Sequence, residues 1–130
     1  MQIAAGLVAV HQQDIIHKDL SANNILMAAD GRVKISDFGI ATKVKGERSY
    51  FHNGAMEGTV LYMSPEQTGR MNTPVDYRTD LFSLGVLLYQ LITGRVPFKG
   101  VDDIESIYLI LASEPKDPCW YQRHGGIAVP

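Results

Sequence analysis

Leu81, Leu84, Leu87, Leu88, Leu91 and Ile92 recur at spacings of three and four, the strongest periodic pattern in the chain. The spacing predicts a helix that opens at Thr79 or Asp80, either of which carries a capping oxygen. Gly94 closes it, and Pro97 prevents it from resuming. Phe82, Val86 and Tyr89 fall between the periodic positions, so this helix is apolar almost all round, as expected of one buried at the centre of a domain. Near the N-terminus Ile3, Leu7 and Val10 repeat at helical spacing with Ala4 and Ala5 between them, and the polar run His11 to Asp14 ends that helix. A further helix is predicted over Asp103 to Ala112, with Asp102 as its N-cap and Glu105 following three residues later.

Between the first two helices the pattern turns extended. Ile15-Ile16 is a brief apolar pair. Ile25-Leu26-Met27 and Val33-Lys34-Ile35 flank Asp30-Gly31, a pair that tolerates positive φ, which predicts a hairpin at about residues 24–36. No period survives over residues 40–75, so that stretch reads as a long loop of the kind that is usually functional. Beyond Ser113 two prolines and a Gly-Gly pair leave residues 113–130 an unassigned tail. The fold class expected is mainly α with a small β-hairpin.

The chain has 130 residues, 45% of them hydrophobic and 20% charged, enough for one domain with a sizeable core. A net charge of −2 supplies no basic field for nucleic acid or for an anionic membrane surface. Cys119 is the single cysteine and cannot form an internal disulfide, which fits a reducing compartment. The apolar run Ile3 to Val10 has no Lys or Arg before it, unlike a signal peptide. Leu81 to Ile92 is shorter than the roughly 20 residues that span a bilayer. A cytoplasmic protein without membrane insertion is expected.

Three short motifs then occur in one order: His17-Lys18-Asp19-Leu20-Ser21-Ala22-Asn23-Asn24, Asp37-Phe38-Gly39 and Ser64-Pro65-Glu66. They resemble the catalytic loop H-R-D-L-x-x-x-N, the D-F-G and the A-P-E of eukaryotic-type serine/threonine protein kinases. Each alone is a weak signal; their joint order, with the hairpin between the first two and Asp80 opening the long helix after the third, carries the resemblance. It covers residues 1–112 and implies a partial kinase C-terminal lobe. The function implied is transfer of the ATP γ-phosphoryl group to Ser/Thr hydroxyls of a protein substrate, with ATP and Mg²⁺ as cofactors. Asp19 would accept or orient the proton of the substrate hydroxyl, and Asn24 and Asp37 would hold Mg²⁺ and nucleotide through oxygen. His17, Asp80 and Glu66 would be structural supports: Asp80 would hydrogen-bond the backbone of the catalytic loop, and Glu66 would pair with an arginine of the lobe's final helices. Residues 37–66 would form the activation segment, where Gly58-Thr59 resembles the serine/threonine class. Thr42, Ser49, Tyr50 and Thr59 are its candidate phosphosites, although each also reads as an ordinary loop hydroxyl.

The stretch from Glu57 to Asp80, with Ser64-Pro65-Glu66-Gln67-Thr68-Gly69-Arg70-Met71-Asn72, resembles in more detail the kinase-like domain of multidomain signalling proteins that also carry ATPase and sensor histidine kinase modules. Other modules of a larger protein are therefore expected partners. The sequence also departs from the family. Ser21 stands where a phosphate-contacting lysine is usual, and a hydroxyl does not supply that charge. Lys18 replaces an arginine, exchanging a bidentate fork for a point charge. No Gly-rich loop occurs before His17, and no lysine-bearing strand fits there, so the N-terminal lobe is expected to be absent and the isolated chain inactive. The alternative reading is a pseudokinase-like scaffold that binds partners without turnover.

Overall fold

The computed structural model describes residues 1–43 and 60–124. Helix α1, Gln2–His11, begins at Met1 without a side-chain cap and presents Leu7 to the core. Its first turn is fastened to the hairpin through Gln2: Nε2 donates to Gly31 O at 3.0 Å, and Oε1 accepts the Val33 amide at 2.9 Å. Strands β1 (Ile15–Ile16), β2 (Ile25–Met27), β3 (Val33–Ile35) and β4 (Thr42–Lys43) follow, with a 3₁₀ turn at Ala22–Asn24 leading into β2. They form two antiparallel pairs. Strand β2 faces β3 in the register Ile25 to Ile35 and Met27 to Val33, and β1 faces β4 with Ile15 opposite Lys43. The connection in the hairpin is longer than a two-residue Asp-Gly turn. It takes in residues 28–32, and of Asp30 and Gly31 only the glycine has a positive φ, +81°. Asp30 instead turns its carboxylate onto the Arg32 amide at 3.0 Å, the local bond that Asp makes in turns.

Past the residues not described, 3₁₀ turns at Val60–Tyr62 and Pro65–Thr68 lead to the long helix α2, Arg78–Thr93. Two expectations about this helix are corrected. It starts before Thr79 and Asp80, and neither caps it. Asp76 accepts the Arg78 amide at 2.8 Å and the Arg78 guanidinium as well, and that hydrogen bond holds the Asp76 carboxyl below its usual range. Nor is α2 buried all round. Its inner face is Thr79, Asp80, Ser83, Val86, Leu87, Tyr89 and Thr93, while Leu81, Leu88, Leu91 and Ile92 are each about half exposed or more, Leu91 at 64%. Small hydroxyl residues, invisible to an apolar count, occupy part of the inner face because they bond to facing elements: Ser83 Oγ donates to Tyr62 O at 2.7 Å. Gly94 closes the helix in the left-handed conformation, φ 72°.

Helix α3, Asp103–Ala112, is capped by Asp102, which accepts the Glu105 amide at 2.8 Å. Helix α4, Pro118–His124, forms in the stretch the sequence left unassigned and packs on α2, where Tyr121 meets Tyr89 edge-on. The core gathers Leu7 of α1, Leu20 of the β1–β2 loop, Tyr62, and Val86 and Leu87 of α2, with Ile25, Ile35 and Phe82 against them. Each such side chain contributes roughly 1.5–3 kcal/mol by leaving water. The core therefore clamps the β1–β2 loop between α1 and α2. No described helix is long and apolar enough to cross a membrane.

Candidate active site

The loop after β1 is buried from its first residue. His17 is fully buried, Lys18 and Ser21 are buried, and Asp19 is half-buried. A buried loop must find partners for its backbone groups, and here a side chain from α2 supplies them. Asp80, itself without exposure, accepts the His17 amide on Oδ2 and the Lys18 amide on Oδ1, each at 2.8 Å. Its Oδ2 also meets His11 Nε2, at the end of α1, at 2.8 Å. One carboxylate thus joins α1, the loop and α2, three elements that the core has already brought together.

The His17 ring is fixed on both nitrogens. Nδ1 accepts the Asp19 amide at 3.2 Å, so the proton sits on Nε2, which donates to Ser36 O at 2.9 Å. The ring packs edge-to-face with Phe38, centroids 4.6 Å apart. Asn24 donates from Nδ2 to Asp19 O at 2.7 Å and to Asp19 Oδ2 at 3.3 Å. The Asn24 carbonyl in turn accepts the Ser36 amide at 2.8 Å. Asp37 follows Ser36 and precedes Phe38, so residues on both sides of it are tied to the loop that carries Asp19.

Two of these residues hold left-handed backbone, Lys18 at φ 67° and Asp37 at φ 60°. For a residue with a Cβ that costs roughly 1–2 kcal/mol. At Asp37 a local bond offsets part of it, Oδ1 accepting the Gly39 amide at 3.2 Å. Strained backbone held by surrounding structure is concentrated at functional sites.

The donor set suits a hard divalent cation. With Nδ2 committed to Asp19, Asn24 keeps its amide oxygen as the group that could accept a cation. Asp37 is exposed and keeps Oδ2 clear of protein donors among the described residues. Mg²⁺ characteristically takes one or two protein oxygens and completes its shell with phosphate and water.

Of the remaining expected site residues, Glu66 lies in the Pro65–Thr68 turn, where its Oε1 accepts the Thr79 hydroxyl at 2.6 Å. Thr42 lies half-buried in β4. Thr59, Ser49 and Tyr50 lie outside the described residues.

Sequence pattern assigned three residues no part in the site, Thr79 among them having been expected only as a helix cap. His11 is the third partner of Asp80. Thr79 ties α2 to the turn. Gln67 accepts the Ser64 amide at 3.1 Å and donates from Nε2 to Lys18 O at 2.8 Å. The Ser-x-x-Gln spacing of Ser64 and Gln67 is a capping-box signature legible in the sequence. The reach of Gln67 to Lys18 has no local signature.

A chain in which a buried aspartate orders an H-x-D loop, and a hairpin returns D-F-G beside it, has the organisation of a kinase. Residues 1–122 match the family model of the protein kinase domain, and the chain belongs to that family. It is similar to the serine/threonine-protein kinase PknB of Mycobacterium leprae, 40% identical over 119 residues, covering 92% of this chain and 18% of that protein. It is also similar to PknL of Mycobacterium tuberculosis, 40% identical over 106 residues, covering 82% of this chain and 26% of that protein. PrkC of Bacillus subtilis is 39% identical over 100 residues, covering 76% of this chain and 15% of its own length. The chain therefore spans about a quarter or less of each of these relatives.

Proposed function

We propose that the chain is part of the C-terminal lobe of a serine/threonine protein kinase and supplies the phosphoryl-transfer machinery of that lobe. The observation that carries this is the Asn24 amide, which bonds both the backbone and the carboxylate of Asp19. It ties the proposed proton acceptor to a proposed cation ligand within one loop. Asp19, held by Asn24 and by the His17–Asp80 scaffold, orients the substrate hydroxyl and takes its proton. Asn24 Oδ1 and Asp37 would hold Mg²⁺. The cation would neutralise charge on the phosphoryl group that ATP would supply. The protein's task is then positioning, which this network of short bonds provides.

The relatives are named serine/threonine kinases, and their similarity spans most of this chain. The more detailed resemblance of the Glu57 to Asp80 stretch supports reading the domain as part of a larger, cytoplasmic signalling protein, of the kind that also carries ATPase and sensor histidine kinase modules. The Ser/Thr-bearing protein substrate would be recognised in part by the activation segment that includes Thr59. One observation favours a second reading, a scaffold without turnover. Ser21 is buried at the start of the Ala22–Asn24 turn and offers a neutral hydroxyl where a cation would meet the transferring phosphate.

The test is transfer of the γ-phosphate from Mg-ATP to a generic Ser/Thr protein substrate by the full-length protein. Transfer that Asp19→Asn reduces at least about a hundredfold is expected. Nucleotide binding with no transfer would establish the scaffold in its place. The 130-residue chain alone is expected to show no turnover.

A further inference from the structure

The peptide unit between Lys18 and Asp19 is held at both of its polar ends by side chains. Its N–H, that of Asp19, donates to His17 Nδ1 at 3.2 Å, and its C=O, that of Lys18, accepts from Gln67 Nε2 at 2.8 Å. A peptide unit is planar, so fixing its two ends fixes the plane and the direction in which the Asp19 Cα leaves it. The plane is set by a residue at φ 67°, a conformation that Lys18 would leave if it were released. Asp80 holds the other side of Lys18, accepting its amide at 2.8 Å. Gln67 itself cannot swing freely. Its Oε1 accepts the Ser64 amide at 3.1 Å, which fixes which end of the amide faces Lys18, and Ser64 is fully buried. The turn that carries Gln67 is anchored to α2 through Glu66 and the Thr79 hydroxyl.

We propose that Gln67 is a positioning residue for phosphoryl transfer: it latches the end of the activation segment to the Lys18–Asp19 peptide and so aims Asp19 at the substrate hydroxyl. The inference rests on the reading of Asp19 given above. It makes the Pro65–Thr68 turn a route by which displacement of the activation segment disables Asp19 without touching it. The Gln67 amide does two separable jobs, because its oxygen caps a turn and its nitrogen holds the loop.

Two substitutions in the full-length protein separate those jobs. Gln67→Glu keeps an oxygen for the Ser64 amide, which glutamate accepts in a capping box as glutamine does. It places an oxygen without a proton against Lys18 O. Gln67→Lys keeps a donor for Lys18 O and loses the cap. The readouts are kcat and KM with Mg-ATP and a generic Ser/Thr protein substrate, together with amide hydrogen exchange of residues 15–24.

For Gln67→Glu a fall in kcat of about tenfold or more is expected, with KM for ATP changed by less than about twofold. Exchange over residues 15–24 is expected to be faster. For Gln67→Lys the expected kcat lies within about threefold of the parent and the exchange is near normal, although its melting temperature falls with the lost cap. An unchanged kcat in Gln67→Glu, or an equal loss in both variants, overturns the proposal. Should Gln67→Glu not fold, Gln67→Met, which loses donor and cap together, is compared with Gln67→Lys, which loses the cap alone: kcat about tenfold or more below the parent and faster exchange are expected in Gln67→Met only, and equal values in the two overturn the proposal. A parent protein that transfers no phosphate overturns the proposed function alone. The exchange comparison still decides the latch, which fails if Gln67→Glu leaves residues 15–24 as protected as the parent.

Discussion

The Thr79 hydroxyl donates to Glu66 Oε1 across 2.6 Å, joining the first turn of α2 to the Pro65–Thr68 turn. Thr79 is fully buried, and its oxygen also lies 3.2 Å from Ser64 Oγ. Replacement by valine keeps the shape of the side chain and removes the hydroxyl, leaving Glu66 and Ser64 short of a partner. Thr79→Val is expected to lower stability by about 1–3 kcal/mol, and Thr79→Ser by about 1 kcal/mol or less. Urea unfolding of the two variants measures the difference. Equal losses would mean that the methyl group, and not the hydrogen bond, matters at this position.

Asp80 holds two buried amides and one imidazole nitrogen in a site closed to water. In Asp80→Asn one carboxylate oxygen becomes an N–H₂ group that faces an amide donor. A loss of roughly 2–4 kcal/mol is expected, larger than for most single substitutions. His11→Ala removes one of the three partners at a side chain that is 19% exposed, and is expected to cost less. Thermal denaturation that ranks His11→Ala as the worse variant would contradict the central place given to Asp80.

The two faces of α2 should respond differently to substitution. Leu87 is 4% exposed and Leu91 is 64% exposed. In the 130-residue chain Leu87→Ala is expected to cost about 2–5 kcal/mol through lost transfer energy and a cavity. Leu91→Lys is expected to fall within about 0.5 kcal/mol of the parent. Comparable losses would show that the outer face is covered in solution.

Tyr89 sets an alkaline limit. Burial chiefly, with the neighbouring Tyr121 and Asp117 adding to it, raises its phenol from 10.0 to about 12, and its hydroxyl donates to Lys116 O at 2.8 Å. Above pH 10 the unfolded chain has lost this proton while the folded chain keeps it. The unfolded state then binds fewer protons, so stability falls as pH rises from about 10 to about 12. Tyr89→Phe cannot ionise and should flatten that limb of the stability–pH curve, at some cost near neutrality from the lost bond. Parallel curves for the two proteins over that range would rule out Tyr89 as the source.

Local pattern was a good guide wherever neighbours in sequence decide the outcome. The α1 period, the Asp102 cap and the left-handed close at Gly94 all depend on residues within a few positions of one another. The same holds for the order of His17–Asn24, Asp37–Gly39 and Ser64–Glu66, which marks the family by spacing alone. Local pattern misled where a position's role depends on something distant. Thr79 and Asp80 looked like caps because Thr and Asp often cap helices, yet their oxygens are claimed by a turn and a loop elsewhere. The leucines of α2 looked uniformly buried because periodicity counts apolar residues and has no information on which face meets a neighbour.

The sequence by itself determined three of the helices, the hairpin, and the order of the motifs that mark the family, but not α4 or β4. Only the tertiary structure decided what the polar side chains of those motifs touch. Asp80 reaches the His17 amide across 63 positions, and Gln67 reaches Lys18 across 49. Such contacts exist because burial of Leu7, Leu20 and Leu87 presses α1, the loop and α2 together, and buried polar groups must then pair with whatever the packing brings beside them.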